Sequence, residues 1–176
     1  MGVSLQERAR KVRLILLDVD GVQTDRGLYV GPDGTPLRRF DVRDGTGISV
    51  ALQAGFKVAF ISGKGSPSIR SRAGELGVED VYENLQRKTE AYEDLKAKYG
   101  LSDEEVAFLA DDVIDLPVLR QVGLPLAVAD AAAEVLAAAA RVMIRPGGHG
   151  AVREAIEFIM RAQGTWDEAL KTRYGV

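Results

Sequence analysis

"LILLDVDGVQTDRG", residues 14–27, is the stretch on which the fold turns. Four apolar residues, Leu14 to Leu17, run directly into Asp18, Val19, Asp20 and Gly21. A short, continuous apolar run of this kind reads as a strand buried on both faces. Two carboxylates at alternate positions at its end repel each other and are stripped of water. Something elsewhere in the chain has to make that arrangement tolerable.

Outward from this stretch the pattern alternates. "GLYVGPDGTPLRRFDV" carries two short runs around a Gly/Pro/Asp turn and reads as a β-hairpin over residues 27–42. "DGTGISVALQAG" follows as a helix, with Asp44 as its N-cap and Gly55 as its stop. "KVAFIS" is a second buried strand, and "SPSIRSRAGELG" a helix with Pro67 in its first turn. Then come a short strand "DVYE", an amphipathic helix "RKTEAYEDLKAKYG", a strand "EVAFLAD" and a short helix "DLPVLRQVG". A strand "LPLAVAD", a helix "AAAEVLAAAA", a strand "RVMI" and helices over "GAVREAIEFIMRA" and "TWDEALKTRY" complete the chain. Strands separated by helices imply βαβ units. The fold class is therefore α/β, a doubly wound, Rossmann-like parallel sheet flanked by helices, with the hairpin inserted after the first strand and no large cap domain. Residues 1–176 read as one domain.

The bulk composition agrees. The chain has 176 residues, 46% apolar and 28% charged, enough for a globular core. A net charge of −3 gives no reason to expect nucleic acid or an anionic membrane as partner. There is no cysteine, which excludes disulfides, thiolate metal sites and cysteine nucleophiles. The charged lead-in "MGVSLQERARKVR" lacks the apolar segment of a signal peptide, and a cytoplasmic location is expected.

In a doubly wound sheet, ligands bind beyond the carboxyl ends of the strands. Asp18 and Asp20 follow the first strand, Ser62, Gly63 and Lys64 the second, and Asp111, Asp112 and Asp115 the "EVAFLAD" strand; Lys88 opens a helix. All of these can converge on one edge. Close carboxylates with oxygen donors only, and neither His nor Cys beside them, suit Mg²⁺ or Ca²⁺ better than zinc. Taken singly, such aspartates are often caps and turn formers, but "DVDG" at one strand end and "DDVID" at another argue for a metal site. Ser62 and the Gly63 backbone can hold an anion, and Lys88 adds a point charge. "SGKGS" is not a phosphate-binding P-loop, and no GxGxxG follows the first strand. A phosphoryl-accepting receiver domain would need an aspartate after "VYENLQ", where none is suitable. The single histidine, His149, either lines a pocket or starts a helix.

"DVDGVQT", "ISG", Lys88 and "ADDVID" resemble, in order and spacing, the four motifs of the haloacid dehalogenase-like phosphatase superfamily. The short chain, the early hairpin, "VRDGTGI" and "GGHGAVRE" resemble its small capless sugar-phosphate phosphatases. The resemblance implies that Asp18 is the nucleophile, forming an aspartyl-phosphate, and that Asp20 is the general acid and then base. It implies Mg²⁺ on Asp18, the backbone carbonyl of Asp20 and Asp111. Ser62, Gly63 and Lys88 would bind the phosphoryl group, and Asp112 and Asp115 would orient the metal waters and Lys88. The implied substrate is a phosphorylated sugar acid such as 3-deoxy-D-manno-octulosonate 8-phosphate or a related nonulosonate phosphate, with Lys64, Arg43 and His149 as candidates for choosing it. Lysine at position 64 lacks the bidentate fork that arginine offers a carboxylate. The relatives are tetramers joined through their hairpins, so a homotetramer is expected. The same scaffold without catalysis, as a regulatory subunit, or with a different sugar-phosphate specificity, is the alternative reading.

Overall fold

The computed structural model describes residues 3–176. In chain order its elements are α1 (Leu5–Lys11), β1 (Leu14–Leu17), β2 (Tyr29–Val30), β3 (Pro36–Leu37), α2 (Val42–Gln53), β4 (Lys57–Ile61), α3 (Pro67–Leu76) and β5 (Asp80–Tyr82). They continue with α4 (Lys88–Tyr99), β6 (Val106–Ala110), α5 (Leu116–Leu119), β7 (Leu124–Ala127), α6 (Ala133–Ala138), β8 (Arg141–Val142), α7 (Ala151–Gln163) and α8 (Trp166–Tyr174). Six strands form one parallel sheet in the order β5-β4-β1-β6-β7-β8, and β2 and β3 form a separate antiparallel hairpin.

β1 lies between β4 and β6, which is where the strand order reverses. Its four residues are fully buried, because a parallel strand covered by helices on both faces needs apolar side chains in both directions. The register places Leu17 beside Phe60 on one side and Leu109 on the other. Asp18 therefore leaves the sheet next to the points where β4 runs out into Ser62 and β6 into Asp111.

Sequence and structure differ in instructive places. The lead-in is a helix, α1, started by a reciprocal cap between Ser4 and Glu7. The alanine-rich helix is cut to Ala133–Ala138, because Ala132 donates to the Asp111 carbonyl at 2.7 Å and Ala140 to that of Pro125 at 2.9 Å. Asp44 does not cap α2. Asp41 does, accepting from the Arg43 and Asp44 backbone, because Phe40 pairs with Thr24 and leaves Asp41 extended at the cap position. Asp44 is already helical and buried, and it reaches across to the start of α7, where it accepts from Arg153 N at 2.8 Å and Gly150 N at 3.3 Å. One helix thus caps another.

Burial pushes the Asp44 carboxyl up to about 6, although both backbone donors favour its charge. Between the ordinary carboxylate range and 6 the folded state binds more protons than the unfolded one, so this group subtracts stability as pH rises through that window. Asparagine keeps one of the two acceptor oxygens, enough for the shorter bond from Arg153 N, and cannot ionise. Asp44→Asn will therefore gain on wild type by about 2 kcal/mol between pH 4 and pH 7. Urea unfolding at the two pH values reads the gain, and an unchanged difference would refute it.

Candidate active site

Asp18 and Lys88 are drawn together from the ends of different elements. Asp18 is 5% exposed and is anchored by its backbone N–H on Leu109. Lys88 is the first residue of α4 and only 3% exposed; its ammonium donates to Asp18 and, at 2.6 Å, to Asp115 Oδ1. Asp115 is fully buried, and its other oxygen accepts from the backbone of Asp111 at 3.3 Å. Burial opposes the charge on Lys88, yet the two carboxylates hold its pKa above the ordinary value. Burial also drives the Asp18 carboxyl well above the carboxylate range, with Lys88 opposing and Asp115 and Asp111 reinforcing the rise. Asp111 is raised for the same first reason.

Asp18, Asp111 and Asp115 bring one carboxylate oxygen each within 4.8 Å of one another. Asp111 Oδ2 accepts from Arg26 Nε at 2.9 Å, while Oδ1 is buried with no hydrogen-bond partner. Three buried carboxylates, oxygen-only donors and an unsatisfied buried oxygen are what a hard divalent cation would complete. The sequence expectation for Asp20 concerns its backbone carbonyl, and the third carboxylate that stands with those of Asp18 and Asp111 is that of Asp115. The Asp20 side chain instead pairs with Arg38, Nε to Oδ1 at 2.6 Å and Nη2 to Oδ2 at 3.1 Å. Asp112 caps the turn that follows, accepting from Val113 N at 2.7 Å.

Ser62 is buried, and its hydroxyl donates to the Lys64 carbonyl at 2.8 Å, shaping the loop after β4. A cavity of about 320 Å³ is lined by Asp18, Asp20, Ser62, Gly63, Lys64, Lys88, Asp111 and Asp112, together with Arg26, Leu28, Arg38 and Ile114. Two of the candidates for choosing a substrate lie elsewhere in the chain. Arg43, at the start of α2, lines a separate groove of about 890 Å³ with Arg141, Arg145 and Arg153. His149 is exposed, and its Nδ1 lies 2.8 Å from the Gly147 carbonyl of its own loop.

The structure adds residues that the sequence reading passed over. Arg38 has a side chain only 2% exposed, although it sits at the foot of a hairpin; the paired arginines just before the chain rejoins the scaffold are its only hint. Gly147 packs so closely on the loop after β1 that a Cβ there would lie 1.8 Å from the Gly21 carbonyl oxygen. Gly21 itself has φ +100°, and a Cβ on it would meet Asp111 Oδ2 at 2.0 Å. Both glycines are required by close approach, and Gly21 also by its left-handed backbone.

Comparison with known proteins gives a family and its relatives. Residues 67–156 match the family model of haloacid dehalogenase-like hydrolases. The chain is 40% identical over 169 residues to the 3-deoxy-D-manno-octulosonate 8-phosphate phosphatase of Escherichia coli (strain B / BL21-DE3), covering 96% of this chain and 90% of that protein. It is similar, at 31% identity and TM-score 0.92, to the crystal structure of 3-deoxy-D-manno-octulosonate 8-phosphate phosphatase from Moraxella catarrhalis in complex with magnesium, phosphate and KDO, covering 96% of this chain and 97% of that one. The cobalt-bound form of the corresponding phosphatase from Haemophilus influenzae superposes with TM-score 0.86 at 37% identity, covering 89% and 92% of the two chains.

Proposed function

Because this chain belongs to the haloacid dehalogenase-like hydrolases, we propose that it is a Mg²⁺-dependent phosphatase of a small phosphorylated sugar acid, 3-deoxy-D-manno-octulosonate 8-phosphate, working through an aspartyl-phosphate. The observation that carries this reading is the buried convergence of Asp18, Lys88, Asp111 and Asp115 beyond the ends of β1 and β6, with one carboxylate oxygen left unsatisfied.

Asp18 attacks phosphorus and forms the new P–O bond as the bond to the sugar oxygen breaks. Asp20 gives that oxygen its proton, then takes one from the water that hydrolyses the aspartyl-phosphate. Two anions meet in the first step, so the chemistry is mainly charge stabilisation and positioning. Bound Mg²⁺, held by Asp18, Asp111 and the Asp20 carbonyl, supplies the positive charge that lets a carboxylate approach a phosphate dianion. Lys88 adds a fixed positive charge beside Asp18, and Ser62 and the Gly63 backbone receive the phosphoryl oxygens. The bidentate Arg38 fork sets the direction of the Asp20 carboxylate. Asp112 and Asp115 order this arrangement from behind. Lys64 stands in the cavity wall where the sugar acid would be recognised.

The hairpin exposes Leu28, Tyr29, Val30 and Leu37, each at least half accessible. Such a patch on a small domain favours burial against another copy. A homotetramer joined through the hairpins is part of the proposal, and in it Arg43 and His149 can serve a neighbour's cavity. A monomer in light scattering at micromolar concentration would remove that part. No helix among the described residues is long and apolar enough to cross a membrane. A cytoplasmic location, and residues 1–176 acting as one domain, belong to the same reading.

A panel of phosphorylated sugar acids and neutral sugar phosphates tests the function. We expect Mg²⁺-dependent release of phosphate to be fastest from the octulosonate ester and to stop on chelation with EDTA. Equal rates across the panel would overturn the substrate, and an inactive wild type would favour a non-catalytic relative.

A further inference from the structure

We propose that Arg26 is a positioning residue for the cation: by occupying Asp111 Oδ2 it aims Oδ1 of the same carboxylate at the metal. The inference rests on the metal reading above and goes beyond it, because it assigns a role to a side chain outside the four motifs.

Arg26 lies in the loop between β1 and the hairpin, in a left-handed conformation with φ +64°. Arg26 and Asn84 are the non-glycine residues with positive φ among the described residues, and a long side chain pays for that conformation in strain. Its side chain is fixed at three points: Nε donates to Asp111 Oδ2 at 2.9 Å, Nη2 to the Asp130 carbonyl at 2.6 Å, and Nη1 lies 3.0 Å from Asp130 Oδ2. Asp130 in turn accepts from Gly147 N at 3.0 Å. One guanidinium thus ties the loop after β1 to those after β6, β7 and β8.

The consequence falls on Asp111. A carboxylate free to rotate presents either oxygen to a cation or chelates with both. Here Oδ2 is committed, the space beside it leaves no room for a Cβ on Gly21, and Oδ1 is buried without a partner. The guanidinium reaches Asp111 through Nε alone, and its two Nη atoms, fixed on Asp130, hold that Nε against Oδ2, an anchorage that an ammonium without the second set of donors lacks. Outer contacts of this type commonly set metal affinity by tenfold or more.

The test is Mg²⁺ binding to the metal-free full chain by calorimetry, for wild type, Arg26→Gly and Arg26→Lys. Glycine suits φ +64°, so the first variant removes strain and folds. We expect both variants to bind Mg²⁺ about tenfold more weakly or worse, and the visible spectrum of Co²⁺-loaded protein to change with them. Tighter or unchanged binding by Arg26→Gly would mean that the guanidinium merely competes with the cation, and would overturn the proposal. Wild-type affinity in Arg26→Lys would reduce the effect to charge and overturn it too. Wild-type protein that takes up no Mg²⁺ would remove the metal reading itself, and the proposal with it.

Discussion

Asp18→Asn will reduce phosphatase activity by a factor on the order of 10⁴ or more while leaving the fold intact. The amide has nearly the shape of the carboxylate but cannot form the aspartyl-phosphate. Lys88 keeps its second partner, Asp115, so its ammonium is not stranded. Burial already opposes the Asp18 charge, so the neutral amide relieves an unfavourable ionisation. Without metal the variant will therefore melt at or above the wild-type temperature. In Mg²⁺ it will lose the stabilisation that binding gives to wild type. Hydrolysis of p-nitrophenyl phosphate and paired thermal melts read the two effects separately. Activity within tenfold of wild type would mean that Asp18 is not the nucleophile.

Lys88→Met will have the largest effect on stability. The side chain is 2% exposed and methionine fills a similar volume, so packing changes little. What disappears is the one ammonium between two buried carboxylates, and breaking such a pair from one side costs roughly 3–5 kcal/mol. In a chain of this size that corresponds to a melting temperature lower by about 10 °C. The penalty depends on pH. With Lys88 gone, nothing opposes the upward push on the Asp18 carboxyl, and the folded state takes up a proton that the unfolded state releases. The loss will therefore be greatest near pH 8 and will shrink toward pH 5. Urea titrations with EDTA at both pH values decide the matter, and a pH-independent loss would show that the carboxylates are not left charged. Activity will fall as well, since the fixed charge beside the nucleophile is lost.

The central strand and its acidic ends were legible because two simple rules coincide there. A continuous apolar run marks a strand buried on both faces, and paired carboxylates after two such strands are more than caps and turns require. The same holds for "VAFLADD", and Lys88 was legible through the motif that places it. Asp44 was misread because a cap is recognised from local sequence, whereas its actual partners are more than a hundred residues away on α7. Arg26 and Arg38 were invisible for the reverse reason. An arginine beside a turn is ordinarily solvated, and nothing local says that these two fold back onto Asp111 and Asp20. Gly147 was noticed only as part of a motif; the contact with the Gly21 carbonyl that demands it depends on where β8 ends relative to β1.

The hairpin does more than expose an apolar patch. Arg26 stands just before it and Arg38 just after β3, and each holds one of the carboxylates that Lys88 does not reach. An enzyme engineer who shortened the loop to obtain a free-standing subunit would detach both carboxylates in the same cut. A dead product would then be mistaken for proof that neighbouring subunits are needed. Changes confined to the tip, between Gly31 and Thr35, leave both feet in place and keep the two questions apart.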